Sequence, residues 1–221
     1  LLCMTYEDGV SILDEQVFVL PQERRNAIGQ ASIEIMLREI FEWGDMQTDP
    51  NFGNYLVRLG NGHDLPDRIV LLDFGAIRQF DPHLINVARN LIVAGARHNR
   101  DAMIAAMQGY AFFDQMPVNV KPVLAEVFLL ATEPFTTRAS NPDAPVYAFD
   151  GHSLYDWKKS QLHARLIKKT GESMASRYFS VPPKEFMFIS RKFIGAYTFM
   201  TVIDARTNLH AMVEREIQSG H

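Results

Sequence analysis

Apolar and polar positions along the chain alternate with two different periods. Ile33, Met36, Leu37, Ile40 and Phe41 recur at i, i+3, i+4, i+7 and i+8, one apolar stripe of an α-helix. That helix is expected over Pro21 to Trp43, with Pro21 in its first turn and Gly44 as its stop. The pattern then changes. Tyr55-Leu56-Val57 and Ile69-Val70-Leu71-Leu72 are short, β-branched or aromatic runs, separated by the turn signal Gly60-Asn61-Gly62. They predict a β-hairpin, and beyond a first strand at Leu1-Leu2-Cys3-Met4 no other β structure is expected. Asp81-Pro82 reads as an N-cap followed by a first-turn proline, opening a stripe of Leu84, Val87, Ala88, Leu91 and Ile92.

Helical periodicity fills the remainder. Helices are expected over Asp101 to Tyr110, Val120 to Ala131, Leu154 to Arg177 and Arg206 to Ile217, with a loop over Ser140 to Tyr147. Ser180-Val181-Pro182-Pro183 is a break, after which Phe186, Ile189, Phe193, Ile194 and Tyr197 form another stripe. The Phe186 to Ile203 stretch is apolar enough to raise a membrane span. Arg191 and Lys192 interrupt it and Asp204 closes it, so a buried core helix is the reading. Lys158, Lys159, Arg165, Lys168 and Lys169 make the Leu154 to Arg177 segment cationic. A solvated face explains them better than a peripheral contact with a phospholipid surface.

Composition narrows the function classes. The 221 residues are 47% hydrophobic, enough for one sizeable core. The net charge is −4 with a pI near 6.0, and no Lys/Arg run exceeds a pair, so a nucleic-acid footprint is excluded. The seven histidines lack ligand spacing, which argues against zinc, and the single Cys3 cannot form an internal disulfide. The chain opens Leu-Leu-Cys with no initiator Met, and is read as a piece of a longer protein.

The candidate chemistry lies around the hairpin. Asp49 and Asn54 have the spacing D-x-x-x-x-N of a kinase catalytic loop, and Asp73-Phe74-Gly75 matches the metal-binding D-F-G. Phosphoryl transfer asks a protein mainly for positioning and charge neutralisation. Magnesium takes oxygen ligands and keeps several waters, so one carboxylate and one amide oxygen suit it. Asn54 and Asp73 are the candidate metal ligands. Asp49 is the candidate catalytic residue, orienting a hydroxyl or water and accepting its proton. A helix begins almost at once after Gly75, with no long activation segment and no A-P-E. That absence argues against a protein substrate.

In place of H-R-D the loop reads Gln47-Thr48-Asp49-Pro50-Asn51, and the D-F-G is embedded in L-D-F-G-A-x-R. With Pro183-Lys184-Glu185 and Arg191-Lys192-Phe193 further on, this wording resembles the UbiB family of atypical kinases. The resemblance implies a mainly α (α+β) fold: a kinase-like C-lobe with a small antiparallel β-hairpin and additional C-terminal helices, the N-lobe missing. All of 1–221 would be that C-lobe piece, with hinge strand 1–9, catalytic and metal-binding loops 45–78 and helical region 81–217. It further implies binding of ATP and Mg2+, with Met4 as gatekeeper, backbone groups of Thr5 and Glu7 on the adenine, and Asn54 and Asp73 at the phosphates. The activity implied for the longer protein is an atypical kinase or ATPase supporting ubiquinone biosynthesis; this piece alone would be inactive. An isoprenoid or quinone lipid, or a biosynthetic-complex protein, would be the partner. The setting would be cytoplasmic or membrane-associated in a bacterium, or mitochondrial in a eukaryote. Two other readings stand beside it: a nucleotide-binding pseudokinase, and a helical module binding a lipid or partner through Phe186 to Tyr197. The aminoglycoside phosphotransferases are a further kinase-like neighbour, but they usually carry His where this chain has Gln47-Thr48.

Overall fold

The computed structural model describes residues 5–49, 51–62, 64–174 and 183–218, the side chains of 172–174 excepted. The expected first strand with Met4, and Ser180 to Pro182 of the expected break, lie outside the described residues.

The elements follow as β1 (Val10–Ser11), α1 (Glu15–Phe18), α2 (Gln22–Arg38), β2 (Asp45–Gln47), β3 (Tyr55–Arg58), β4 (Arg68–Leu71), β5 (Ile77–Gln79), α3 (Pro82–Ala96), α4 (Arg100–Ala106), α5 (Ala111–Asp114), α6 (Lys121–Ala131), β6 (Tyr155–Asp156), α7 (Leu162–Met174), α8 (Lys184–Val202), β7 (Arg206–Thr207) and α9 (His210–Gln218). The fold is mainly helical with small antiparallel sheets. The expected hairpin is present: β3 pairs with β4 in the register Tyr55↔Leu71 to Arg58↔Arg68, and β1 adds to the other edge of β3.

Four expectations are corrected. The β structure is wider than one hairpin, because β2 pairs with β5 and β6 with β7. These strands are two or three residues long, too short to show a period. The helix expected over Leu154 to Arg177 begins at Leu162; residues 175–177 of that span are not described. Tyr155 and Trp157 are instead buried in the core, and Trp157 donates its indole N–H to Thr207 Oγ1 at 2.9 Å. Arg206 and Thr207, expected as the first turn of the last helix, are the strand β7, and α9 starts at His210. The helix after Asp101 also ends early, at Ala106.

The stripe of α2 goes where its period demands. Ile33, Met36, Leu37, Ile40 and Phe41 are all buried. They join a main core with Leu84, Ile85, Ala88 and Ile92 of α3, and with Tyr197 and Met200 of α8. The stripe of α8 is spent on the same core: Ile189 and Tyr197 are buried, Phe186 and Phe193 pack against it, and Ile194 alone of that stripe stays in water. That withdraws most of the face on which a lipid-binding module would rely. Among the described residues no helix is long and apolar enough to cross a membrane. A second, aromatic cluster of Phe112, Phe113, Phe128 and Phe186 joins α5, α6 and α8, with Phe113 edge-on to both Phe128 and Phe186.

α2 ends in a π-helical turn, Glu39–Trp43, closed by the Gly44 N–H on the Glu39 carbonyl at 3.0 Å. Gly44 then leaves the helix at φ 71°, the left-handed region that glycine enters without penalty. Such a turn frees carbonyls at its end. The Arg89 guanidinium from α3 takes two of them, donating to Ile40 O and Phe41 O, each at 2.8 Å.

The hairpin loop is stapled to the front of α2. Arg24 forks onto Asp67 through Nε and an Nη at 2.9 and 2.6 Å, and also donates to Gly60 O. Gly60 fits only as glycine, because a Cβ there would stand 1.8 Å from the Leu65 carbonyl oxygen. The hydrogen bonds from Arg24 hold the Asp67 carboxyl below its ordinary pKa of 3.8; burial opposes the shift and the Gly60 N–H assists it. A depressed folded-state pKa means stability present above 3.8 that disappears as pH falls through the lowered value. Asp67→Asn should therefore cost about 1.5–3 kcal/mol at neutral pH, and the gap to wild type should close in acid. Urea unfolding of both proteins at neutral pH and below pH 3.8 measures it.

Candidate functional site

The ladder of the hairpin places the three motif residues. Leu72 N–H donates to Asn54 O at 3.0 Å, continuing the β3–β4 pairing by one step. Asn54 therefore opens β3 directly opposite the end of β4, and Asp73 follows one residue beyond. Between Asp49 and Asn54 the chain is tightened by local caps. Asp49 Oδ1 accepts Asn51 N–H at 3.2 Å, Asn51 Oδ1 accepts Gly53 N–H at 2.9 Å, and residues Phe52–Asn54 form a 3-10 turn. This turn brings the Asn54 amide onto the Asp49 carboxylate, Nδ2 to Oδ2 at 2.9 Å. A Cβ at Gly53 would stand 3.3 Å from Asn51 Oδ1.

A carboxylate can only accept, so it is the nitrogen of Asn54 that faces Asp49, and Oδ1 points away from it. Asp73 Oδ1 accepts the Gly75 N–H at 2.7 Å in an Asx turn. Asn54 and Asp73 line one cavity of about 210 Å³, together with Glu39, Asp45 and Gln47. Asp49 does not line it; it sits one hydrogen bond behind Asn54. Thr5 and Glu7 do not line it either. Glu7 is ion-paired with Arg58 at the other end of β3, about 13 Å from Asn54 at strand rise. Met4 lies outside the described residues. The cavity's apolar wall includes Trp43, Phe74 and Ile77, and Phe74 is 57% exposed.

The donor set fits magnesium. Among the described residues no group of three or more His, Cys, Asp or Glu could cage a metal ion. Asn54 Oδ1 and the Asp73 carboxylate are two hard oxygen donors at a cavity wall. Magnesium is held in that way, by one or two protein oxygens with water and phosphate completing the shell.

The motif did not reveal what holds these loops. Gln47 is buried and uses both ends of its amide. Nε2 donates to Asp73 O at 2.5 Å, and Oε1 accepts Asp49 N–H at 3.2 Å. Thr48 donates its N–H and hydroxyl to Ala76 O at 3.1 and 2.8 Å. Behind Gln47 stands Glu39, whose Oε1 accepts Gln47 N–H at 3.2 Å. Glu39 is paired with Lys192 of α8 at 2.8 Å, the side chains being 6% and 7% exposed. Burial pushes the Glu39 carboxyl up, and the Lys192 ammonium and the Gln47 N–H pull against it. Tyr55 is raised to about 12, by burial first and then by the charges of Glu39 and Asp49, so its hydroxyl stays protonated. Arg78 of β5 rests on the Phe188 ring of α8, 4.5 Å from its centre. One signal could have found the pair: Glu39 and Lys192 are opposite charges that each interrupt an apolar stripe.

A mainly helical unit whose antiparallel hairpin sets a D-x-x-x-x-N loop beside a D-F-G turn is kinase-like in class. Residues 1–107 match the ABC1 atypical kinase-like domain. The chain is 30% identical over 187 residues to the atypical kinase COQ8, mitochondrial, of Schizosaccharomyces pombe, covering 84% of this chain and 28% of that protein. It is 27% identical over 201 residues to the rat (Rattus norvegicus) atypical kinase COQ8B, mitochondrial, covering 89% and 34%. It is 26% identical over 189 residues to the probable serine/threonine-protein kinase abkA of Dictyostelium discoideum, covering 85% and 31%. The chain thus carries an ABC1 atypical kinase-like domain over residues 1–107 and is similar to COQ8/UbiB atypical kinases along most of its length, while spanning about a third or less of these relatives' length.

Lys192→Met strands a buried carboxylate and should cost about 3–5 kcal/mol. Adding Glu39→Gln removes the stranded charge and should recover most of that loss. Chemical denaturation of the two variants beside wild type decides it; equal midpoints for single and double variants would deny the coupling.

Proposed function

We propose that this chain carries the catalytic and metal-binding loops of an atypical kinase or ATPase that uses ATP and Mg2+. The observation that carries the reading is the convergence of Asp49, Asn54 and Asp73 on one end of the β3–β4 hairpin, with the Asn54 amide nitrogen fixed on Asp49. Asn54 Oδ1 and the Asp73 carboxylate would hold the metal, which when bound neutralises phosphate charge. Asp49 orients the attacking hydroxyl or water and accepts its proton, and its hydrogen bond to Asn54 ties that position to the metal ligands. The backbone of Thr5 and Glu7 receives the adenine. The length of β3 separates that segment from Asn54 by about the reach of a nucleotide. The cavity's volume, below the ~300–1,000 Å³ usual for a whole ligand, suits the phosphate end.

The resemblance to UbiB sequences and the COQ8 relatives support a role in ubiquinone biosynthesis, with a quinone lipid or a biosynthetic-complex protein as partner. Two of the relatives named above are described as mitochondrial, which supports that setting if the source is a eukaryote. The short path from Gly75 to α3 leaves no room for a peptide-docking segment, and so favours a small acceptor or water.

Three variants of the full-length protein test the roles. Asp73→Asn should weaken magnesium-dependent nucleotide binding and abolish turnover. Asp49→Asn should spare binding and lower turnover ~10²–10⁴-fold. Asn54→Ala should fall between them. Nucleotide affinity with and without magnesium, then turnover, reads all three. Binding without turnover in the wild type would leave a pseudokinase. Loss of affinity in Asp49→Asn with retention in Asp73→Asn would reverse the assignments.

A further inference from the structure

Gln47 carries no chemistry of its own, yet its amide is the direct link between the backbones that bear Asp49 and Asp73. A planar amide has one donor end and one acceptor end at fixed separation. Its use here sets the spacing of the two loops. Gln47 is in turn held by its own N–H on Glu39 Oε1, and that same oxygen accepts from Lys192 Nζ at 2.9 Å. Glu39 cannot shift toward either partner without weakening the other. Lys192 arrives from α8, 153 residues along the chain. Buried ion pairs are weak sources of stability, and a fixed geometry is what they are best able to supply.

We propose that the buried Lys192–Glu39 pair and Gln47 form a positioning relay, through which α8 fixes the catalytic loop against the metal-binding loop. The role rests on the magnesium-nucleotide reading of the site. All three are positioning residues: Lys192 and Glu39 act through Gln47, and Gln47 acts through the backbones of Asp73 and Asp49. The relay makes α8 part of the site's framework as well as of the core. Arg78 on Phe188 supports the same coupling, because it anchors β5, the strand paired with β2, to the same helix.

The test uses the full-length protein with ATP, in the presence and absence of magnesium chloride. The variants are Gln47→Ala and the paired Glu39→Gln/Lys192→Met, the second chosen to leave no buried charge alone. Each should lower turnover ~10–100-fold, the usual effect of removing a group that orients a metal ligand. The gain in ATP affinity that magnesium confers should shrink, while magnesium-free affinity holds. Melting temperatures are read beside these, and assays are run well below them. A merely structural role would lower the melting temperature without changing the magnesium dependence of the folded protein, and that result overturns the proposal. Should Gln47→Ala fail to fold, Gln47→Glu carries the test: it keeps the shape and the acceptor for Asp49 N–H but loses the donor to Asp73 O. Wild-type magnesium dependence and turnover in all folded variants would remove the relay and leave the site assignment standing. A wild-type protein without magnesium-dependent ATP binding would remove both.

Discussion

A carboxylate and an ammonium, both almost withdrawn from water, meet between the end of α2 and the middle of α8. Each alone would cost several kcal/mol in that setting. The fold can hold them only by keeping α8 at a fixed depth and rotation against the π turn. Much else follows from that constraint. The apolar stripe of α8 is presented to the core at the phase that Lys192 dictates. The hydrogen bond from Gln47 N–H to Glu39 then starts β2 at a set height, and β2 fixes β5 by pairing with it. The loops that bear Asp49 and Asp73 are the two exits of this arrangement, one leaving β2 and the other entering β5.

The loops are stiffened by short-range bonds. Asn51 and Asp73 each accept a backbone N–H two residues on, so each turn closes itself before any ligand arrives. The hydrogen bond between Asn54 and Asp49 closes the loop between them, and Gln47 adds a long-range restraint by donating to Asp73 O, 26 residues along the chain. Preorganised oxygens are what a hard cation and a phosphate require, since ordering them at the moment of binding would subtract from affinity.

Legibility followed range along the chain. The D-x-x-x-x-N spacing, the D-F-G turn, the N-cap Asp81 and the stripes of α2 and α3 are all written within a dozen residues, and each can be read locally. The β2–β5 and β6–β7 ribbons join segments about 30 and 50 residues apart through strands too short for a period. Tyr155 and Trp157 alternate as a strand would, but the lysines that follow supply a helical pattern strong enough to mask them. Gln47 looked like a departure from H-R-D and not like a structural member, because its partners, Asp73 O and Asp49 N–H, are main-chain groups that no side-chain pattern records. Lys192 was legible as a charge in an apolar helix, which argued against a membrane span, but no local pattern tied it to Glu39, 153 residues away.

The π turn at Glu39–Trp43 inserts one residue into a helical repeat. Removing any one of these five residues would let the regular ladder close and would rotate everything beyond by about 100° while drawing it back about 1.5 Å. The shortened helix would make better local hydrogen bonds, yet Gly44 and β2 would leave it facing another direction. In this segment, then, number binds as tightly as the identity of Glu39: conservative replacements at the other four positions can be absorbed by packing, whereas a single-codon deletion has nowhere to hide.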